Sequence, residues 1–143
     1  MSDNGRGDIQ VNNIENEVYT KIATAIRTQY GESAIFVTGE YTPTPPFFPC
    51  VYIHEADNFN AGYDGSNNEV VTAVMYEVEV YTNKQDGKKA QAKGIMLVAD
   101  SVLTDLGFTR TMLQPLPNMS DATIYRLLAR YTAAVIDNTI YRR

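Results

Sequence analysis

The stretch from Glu69 to Thr82, EVVTAVMYEVEVYT, constrains this chain more than any other. Thr72, Val74, Tyr76, Val78 and Val80 share one parity, and Ala73, Met75, Glu77, Glu79 and Tyr81 share the other. Successive side chains of a strand point to opposite faces, so strict alternation reads as a strand with one covered face. A half-charged second face points to an antiparallel sheet, because parallel strands are covered on both sides.

The covering layer is legible on either side of that strand. Ile14, Val18, Ile22 and Ile26 recur every four residues, with Ala25 filling the same face. That spacing predicts an amphipathic helix, with Asn12 or Asn13 as N-cap and Gly31 as its stop. After a turn at residues 83–87, Ala92, Ile95, Ala99, Val102, Leu103 and Leu106 form the stripe of a second helix, capped by Asp86 and ended by Gly107. Residues 34–40 and 50–55 read as short strands, and residues 108–113 as another. The span 41–49 contains four prolines and reads as a loop or stiff edge. Residues 56–68, rich in Asn, Asp and Gly, read as a long polar loop.

The last segment, residues 123–136, is ambiguous. Ile124, Leu127, Leu128, Tyr131 and Val135 fit a helix, whereas Tyr125, Leu127, Ala129, Tyr131, Ala133 and Val135 fit a strand. A turn at Pro115, Pro117 and Asn118 would make it the second arm of a hairpin, which favours the strand. The expected fold is therefore α+β, a mainly antiparallel sheet with two helices on one face, in the order α-β-β-β-α-β-β. Residues 1–11 read as a flexible tail, and residues 12–143 as one domain of ordinary size.

Charge and cysteine content narrow the function. The formal net charge is −5, which argues against a duplex nucleic-acid binder that neutralises phosphates. One cysteine, Cys50, cannot form an internal disulfide or a structural zinc site. No apolar run is long enough for a membrane span, and residues 1–8 lack the apolar core of a signal peptide, so synthesis in the cytoplasm is expected.

Candidate chemistry is sparse. The single histidine, His54, shares a strand face with Cys50, but four residues of strand separate them by roughly 13 Å. That is too far for the histidine to activate the thiol, and a lone cysteine is usually a small buried apolar residue. A calcium loop starting at Asp57 would need an oxygen ligand at its third position and Glu at its twelfth, where Phe59 and Asn68 stand; Gly62 fits the sixth. Arg6-Gly7-Asp8 and Asn118-Met119-Ser120 match an adhesion tripeptide and a glycosylation acceptor, both without a secretory context. No phosphate loop, metal spacing or nucleophile elbow is present. Neither a catalytic residue nor a cofactor nor a metal is expected.

Tyr76 reads as core. Tyr63, in a polar loop, is harder to explain that way and suits an interface anchor. Glu77 and Glu79, flanked by Met75 and Tyr81, fit either a solvated face or a subunit interface. A pocket lined by Tyr76, His54 and Cys50 would be the site of a small-ligand module or enzyme, which no sequence feature favours.

Several stretches together resemble a known family. The first helix is followed by the Pro-rich stretch and Phe48-Pro49-Cys50-Val51-Tyr52-Ile53. The strand Tyr76-Glu77-Val78-Glu79-Val80-Tyr81-Thr82-Asn83 follows a polar loop. The second helix ends in Leu103-Thr104-Asp105-Leu106-Gly107-Phe108, and Tyr125-Arg126 and Arg130-Tyr131 precede Ala134-Val135-Ile136-Asp137. In order and spacing, from about Asn12 onward, these resemble the small tail terminator proteins of long-tailed phages, also called tail completion or tail-to-head joining proteins. The resemblance implies a strand for residues 123–136. It implies a structural protein of the virion neck, made in the bacterial host cytoplasm, that closes as a six-membered ring on the finished tail tube. Such a ring stops tube polymerisation and presents a surface to the head connector. Its partners would be its own copies, the tail tube protein and the head connector, with DNA only passing through and no membrane. A head-completion adaptor or another minor tail protein of the same neck region is the alternative. Long loops are usually functional or disordered, so the expected contact residues are Phe47, Phe48, Phe59, Tyr63 and Asp64, with Glu77 and Glu79 on the strand face.

Overall fold

The structure, a computed structural model, describes residues 13–63, 69–118 and 121–141, with the side chains of residues 63, 69 and 70 outside that description. Its elements run α1 (Glu15–Tyr30), β1 (Phe36–Thr38), β2 (Cys50–Tyr63), β3 (Glu69–Thr82), α2 (Lys88–Leu106), β4 (Thr109–Leu116), β5 (Tyr125–Ile136) and β6 (Thr139–Ile140). The strands form one six-stranded sheet in the order β1-β2-β3-β5-β4, with β6 also on β5. Every pairing is antiparallel except β1 with β2. This is the α+β arrangement expected, with both helices on one face.

β3 lies at the centre of the sheet, and its alternation sets the two sides. Thr72, Val74, Tyr76, Val78 and Val80 are all buried. They meet Val51 and Ile53 of β2 and Leu127, Ala129, Tyr131 and Val135 of β5 under the helix layer. From α1 come Val18, Ile22, Ala23 and Ile26, and from α2 Ala92, Ile95, Met96, Ala99, Leu103 and Leu106. Burying one such aliphatic side chain is worth about 1.5–3 kcal/mol, so this layer supplies most of the stabilisation. The stripes differ from expectation by one residue each: Ala23, not Ala25, is buried on α1, and Met96 joins α2 while Val102 stays partly exposed.

Two tyrosines fill the centre of the core and keep their hydroxyls satisfied. Tyr76 donates to Glu55 at 2.6 Å and meets Phe108 edge to face at 5.3 Å, and Tyr131 donates to Asp100 at 2.7 Å. Burial pushes both phenols well above their ordinary range, and the hydrogen bond to a carboxylate pushes them further.

The helix ends are set by backbone more than by capping side chains. Ile14 occupies the N-cap position of α1; Asn13, one residue earlier, accepts from the Glu15 N–H at 3.3 Å. Asn12 lies outside the described residues. Asp86 does not cap α2: Gly87 stands there at φ 86°, and no side chain bonds the free N–H groups. At the other end Gly107, at φ 110°, lets Phe108 N–H reach the Leu103 carbonyl at 2.9 Å, which closes the helix.

The largest departure concerns residues 56–68. Far from being a loop throughout, residues 56–63 continue β2, which pairs with β3 along almost its whole length. Pairing uses the backbone, so a neighbour as regular as β3 holds an Asn- and Gly-rich partner that propensity alone disfavours. A register shift between Glu55 and Asp57 leaves Ala56 as an extra residue, which turns Asp57 and Phe59 onto the face away from the helices. The first predicted strand shrinks to Phe36–Thr38. β4 starts after Phe108, which is buried in the core, and runs through Pro115 to Leu116. The ambiguous last segment is strand β5. The expected tail, residues 1–11, falls outside the described residues.

Candidate interaction face

The side of the sheet away from the helices carries the chain's main polar construction. Cross-strand partners share a face, so the register brings Cys50, Tyr52 and His54 of β2 beside Tyr81, Glu79 and Glu77 of β3. It then brings those beside Arg126, Leu128 and Arg130 of β5.

Glu77 and Arg130 are direct partners. The guanidinium donates from Nε at 2.9 Å and from NH2 at 2.7 Å to one carboxylate oxygen, Oε2. The other oxygen lies 3.3 Å from His54 Nε2. The His54 ring stacks on Tyr52 with centroids 4.5 Å apart, and Tyr41 meets Tyr52 edge-on. Glu79 is the most enclosed charge on this face, at 6% exposure. Its Oε1 accepts from Arg126 Nε and NH2, both at 2.8 Å, and from the Tyr81 hydroxyl at 2.7 Å. The Arg126 guanidinium also sits over the Tyr81 ring, 5.7 Å from its centroid.

Electrostatics follow this geometry. Burial, then the hydrogen bond to Glu79, raises the Tyr81 phenol, and Arg126 opposes the shift. Arg126 itself is held more firmly protonated: burial acts against its charge, and the bond to Glu79 and that carboxylate's field outweigh burial. Cys50 is pushed up to about 11 by burial and then by Glu79. A thiol in that state is protonated at neutral pH, the opposite of an activated nucleophile. His54, Glu77 and Glu79 each offer a ligand atom within 4.8 Å of the others. One oxygen of each carboxylate is already held by a guanidinium group, so the carboxylate charges are balanced inside the sheet and their pull on a divalent cation is weakened.

The Pro-rich residues 41–49 lie against the same face. Phe47 meets Phe36 edge-on at 5.8 Å. Phe48 and Tyr41 line a recess with Pro43, Pro45, Tyr81 and Arg126, and the Phe48–Pro49 peptide is cis. Of the expected contact residues, Phe47, Phe48, Phe59, Glu77 and Glu79 therefore belong to one face. Phe59 stands at its far end opposite Ala73, 51% exposed. Glu77 and Glu79 are not the freely solvated acids that one reading allowed, because both are held by arginines. Tyr63 is the last residue of β2 and pairs with Glu69, and Asp64 lies outside the described residues. Tyr76 is core, and it lines a recess with His54, Glu15 and Tyr19, but Cys50 is not part of that recess, so the pocket of all three residues does not form.

Sequence reading missed Arg126, Arg130 and Tyr52. Two acids two residues apart on one strand and two arginines at even spacing on another are a complementary pattern. It becomes visible only once β5, and not β4, is known to neighbour β3. Among the described residues, no helix is long and apolar enough to cross a membrane. No protein-family model matches the chain, and a comparison with curated proteins likewise finds no match.

Proposed function

We propose that this chain is a structural subunit of a phage-like tail, which closes as a six-membered ring on the tail tube, ends tube polymerisation and offers the head connector a surface. Two independent lines support the reading. One is the order and spacing of elements that resemble the tail terminators, with strand β5 where that resemblance expects one. The other, which carries the proposal, is the helix-free face. Its two central glutamates, Glu77 and Glu79, are neutralised by Arg130 and Arg126 of the same sheet. Docking the centre of such a face does not bury an uncompensated charge, which is the usual penalty for polar surfaces. Tyr52 and Met75 beside the ion pairs, and Phe59 at the far end, supply apolar and aromatic area.

The reading requires no reaction at any residue. Electron microscopy of tails assembled with and without the protein tests it. Tubes that overrun their normal length in its absence support the terminator. Tubes of normal length that fail to join heads would replace it with the head-completion adaptor. Tails that assemble and join heads equally well without the protein would remove both.

A further inference from the structure

Charge is distributed along the strand direction in a way the fold does not need. Four of the five lysines, Lys84, Lys88, Lys89 and Lys93, fall within ten residues that contain one carboxylate, Asp86, in a chain of net charge −5. All four belong to the turn before α2 and its first two turns. None of them is in an ion pair with a described residue. Lysines at a helix start oppose the helix dipole, so they weaken α2. A cluster that costs its own helix points to a partner outside the protomer.

The lysines sit at one end of the molecule. Thr82, the last residue of β3, donates to the Lys88 carbonyl at 2.8 Å. The opposite end of the helix layer, level with the middle of β3, is acidic. Glu15 and Glu17 open α1, and Glu15 accepts from the Glu55 N–H at 3.2 Å. Asp57 follows on β2 at the level of Met75. The one arginine at that level, Arg110, is already paired with Asp100 at 3.1 Å. Six residues of β3 separate Tyr76, which faces Glu55, from Thr82, so the two ends lie roughly 20 Å apart.

Strand addition is a poor alternative contact. The outer edge of β4 carries a bulge at Thr111 and a proline at Pro115. β2 is bulged beyond Glu55. Both devices discourage edge-to-edge pairing.

We infer that the basic end of one copy docks on the acidic end of the next. This is a heterologous contact, in which two different patches of each subunit meet, the kind a closed ring requires. The inference rests on reading the chain as a ring former. It differs from a phosphate-binding surface in that the partner is a second copy, matched by charge.

Sedimentation of three forms tests it: the native protein, the basic-end variant Lys84→Glu/Lys88→Glu/Lys89→Glu/Lys93→Glu, and the acidic-end variant Glu17→Lys/Asp57→Lys. The native protein should associate, and its dissociation constant should rise at least about tenfold on going to high salt. Each variant should be monomeric at the same concentration, with a far-UV spectrum like the native one. An equimolar mixture of the two should associate again. The single exchange Lys89→Glu serves as a milder form if the fourfold variant fails to fold, and should weaken association in part. Native protein that stays monomeric would overturn the inference. So would an oligomer unchanged by charge reversal, although that result leaves the tail-length test of the ring reading untouched. Binding of a short DNA duplex that disappears with the lysines while the oligomer persists would assign the patch to phosphates instead.

Discussion

Two glutamates on one strand hold arginines in similar geometry, yet they should differ in energetic weight. The Glu79 side chain is 8% exposed and its partner Arg126 31%, whereas Glu77 and Arg130 are at 15% and 37%. Removing one partner of an enclosed pair leaves a desolvated charge behind, while a pair in contact with water re-solvates. We expect Arg126→Met to destabilise by about 2–3 kcal/mol and Arg130→Met by about 1 kcal/mol or less. Urea unfolding of the two variants measures the difference, and equal losses would mean the two pairs are equally hydrated. Cys50 contributes to the pH dependence in the alkaline range. Its folded pKa of about 11 stands above the ordinary 9.0, so the unfolded chain loses this proton first. The contribution is complete below pH 9.0 and is lost as pH rises toward about 11. Stability should fall there by up to about 1.4 kcal/mol per pH unit for this one group. Cys50→Ala should flatten the slope by that amount in denaturant titrations run between those pH values.

At the scale of elements, α2 shows a conflict between local and global demands. Its core stripe is regular, but its first turn has no acidic residue, carries Lys88 and Lys89, and starts at a glycine without a capping side chain. Lys89→Glu should therefore raise the thermal midpoint, by about 0.3–1 kcal/mol of added stability, even as it weakens association. Loss of stability in that variant would mean Lys89 serves the protomer after all. The β2–β3 hairpin shows the reverse relation, in which tertiary context overrides local preference. Asn58, Asn60 and Gly62 favour turns, but β3 is paired on both sides and templates them as strand. The bulge at Ala56 then decides which side chains of that segment meet the helix-free face.

For the whole molecule, the consequence is a body with a helix layer, a sheet face whose central glutamates are paired, and, on the inference above, two ends of opposite sign. If the sheet face docks on tube or head connector, a polar substitution of an exposed aromatic on its strands should separate folding from assembly. Phe59→Ser should change stability by less than about 0.5 kcal/mol, because surface sites away from the core tolerate exchange. It should nevertheless impair tail termination, read as longer tubes in assembly reactions. Normal tube lengths with that variant would place the docking surface elsewhere.

Much of the fold was legible in the residue order, for a physical reason. Periodicity of 2.0 or 3.6 is imposed by local backbone geometry, so residue spacing alone locates β3, α1 and α2 and assigns the two faces of β3. The residues after Asp121 could not be assigned by period alone, since Tyr131 and Val135 suit both geometries. Strand order is a long-range property that no local pattern encodes. The pairing of β5 with β3, which brings Arg126 to Glu79 and Arg130 to Glu77, was therefore decided only in three dimensions. So was the extra residue at Ala56, which depends on how two backbones match in register. The sequence by itself determined which residues are apolar and at what interval; the tertiary structure decided which charges meet, because charge pairing depends on neighbours that lie 47 and 53 positions apart along the chain.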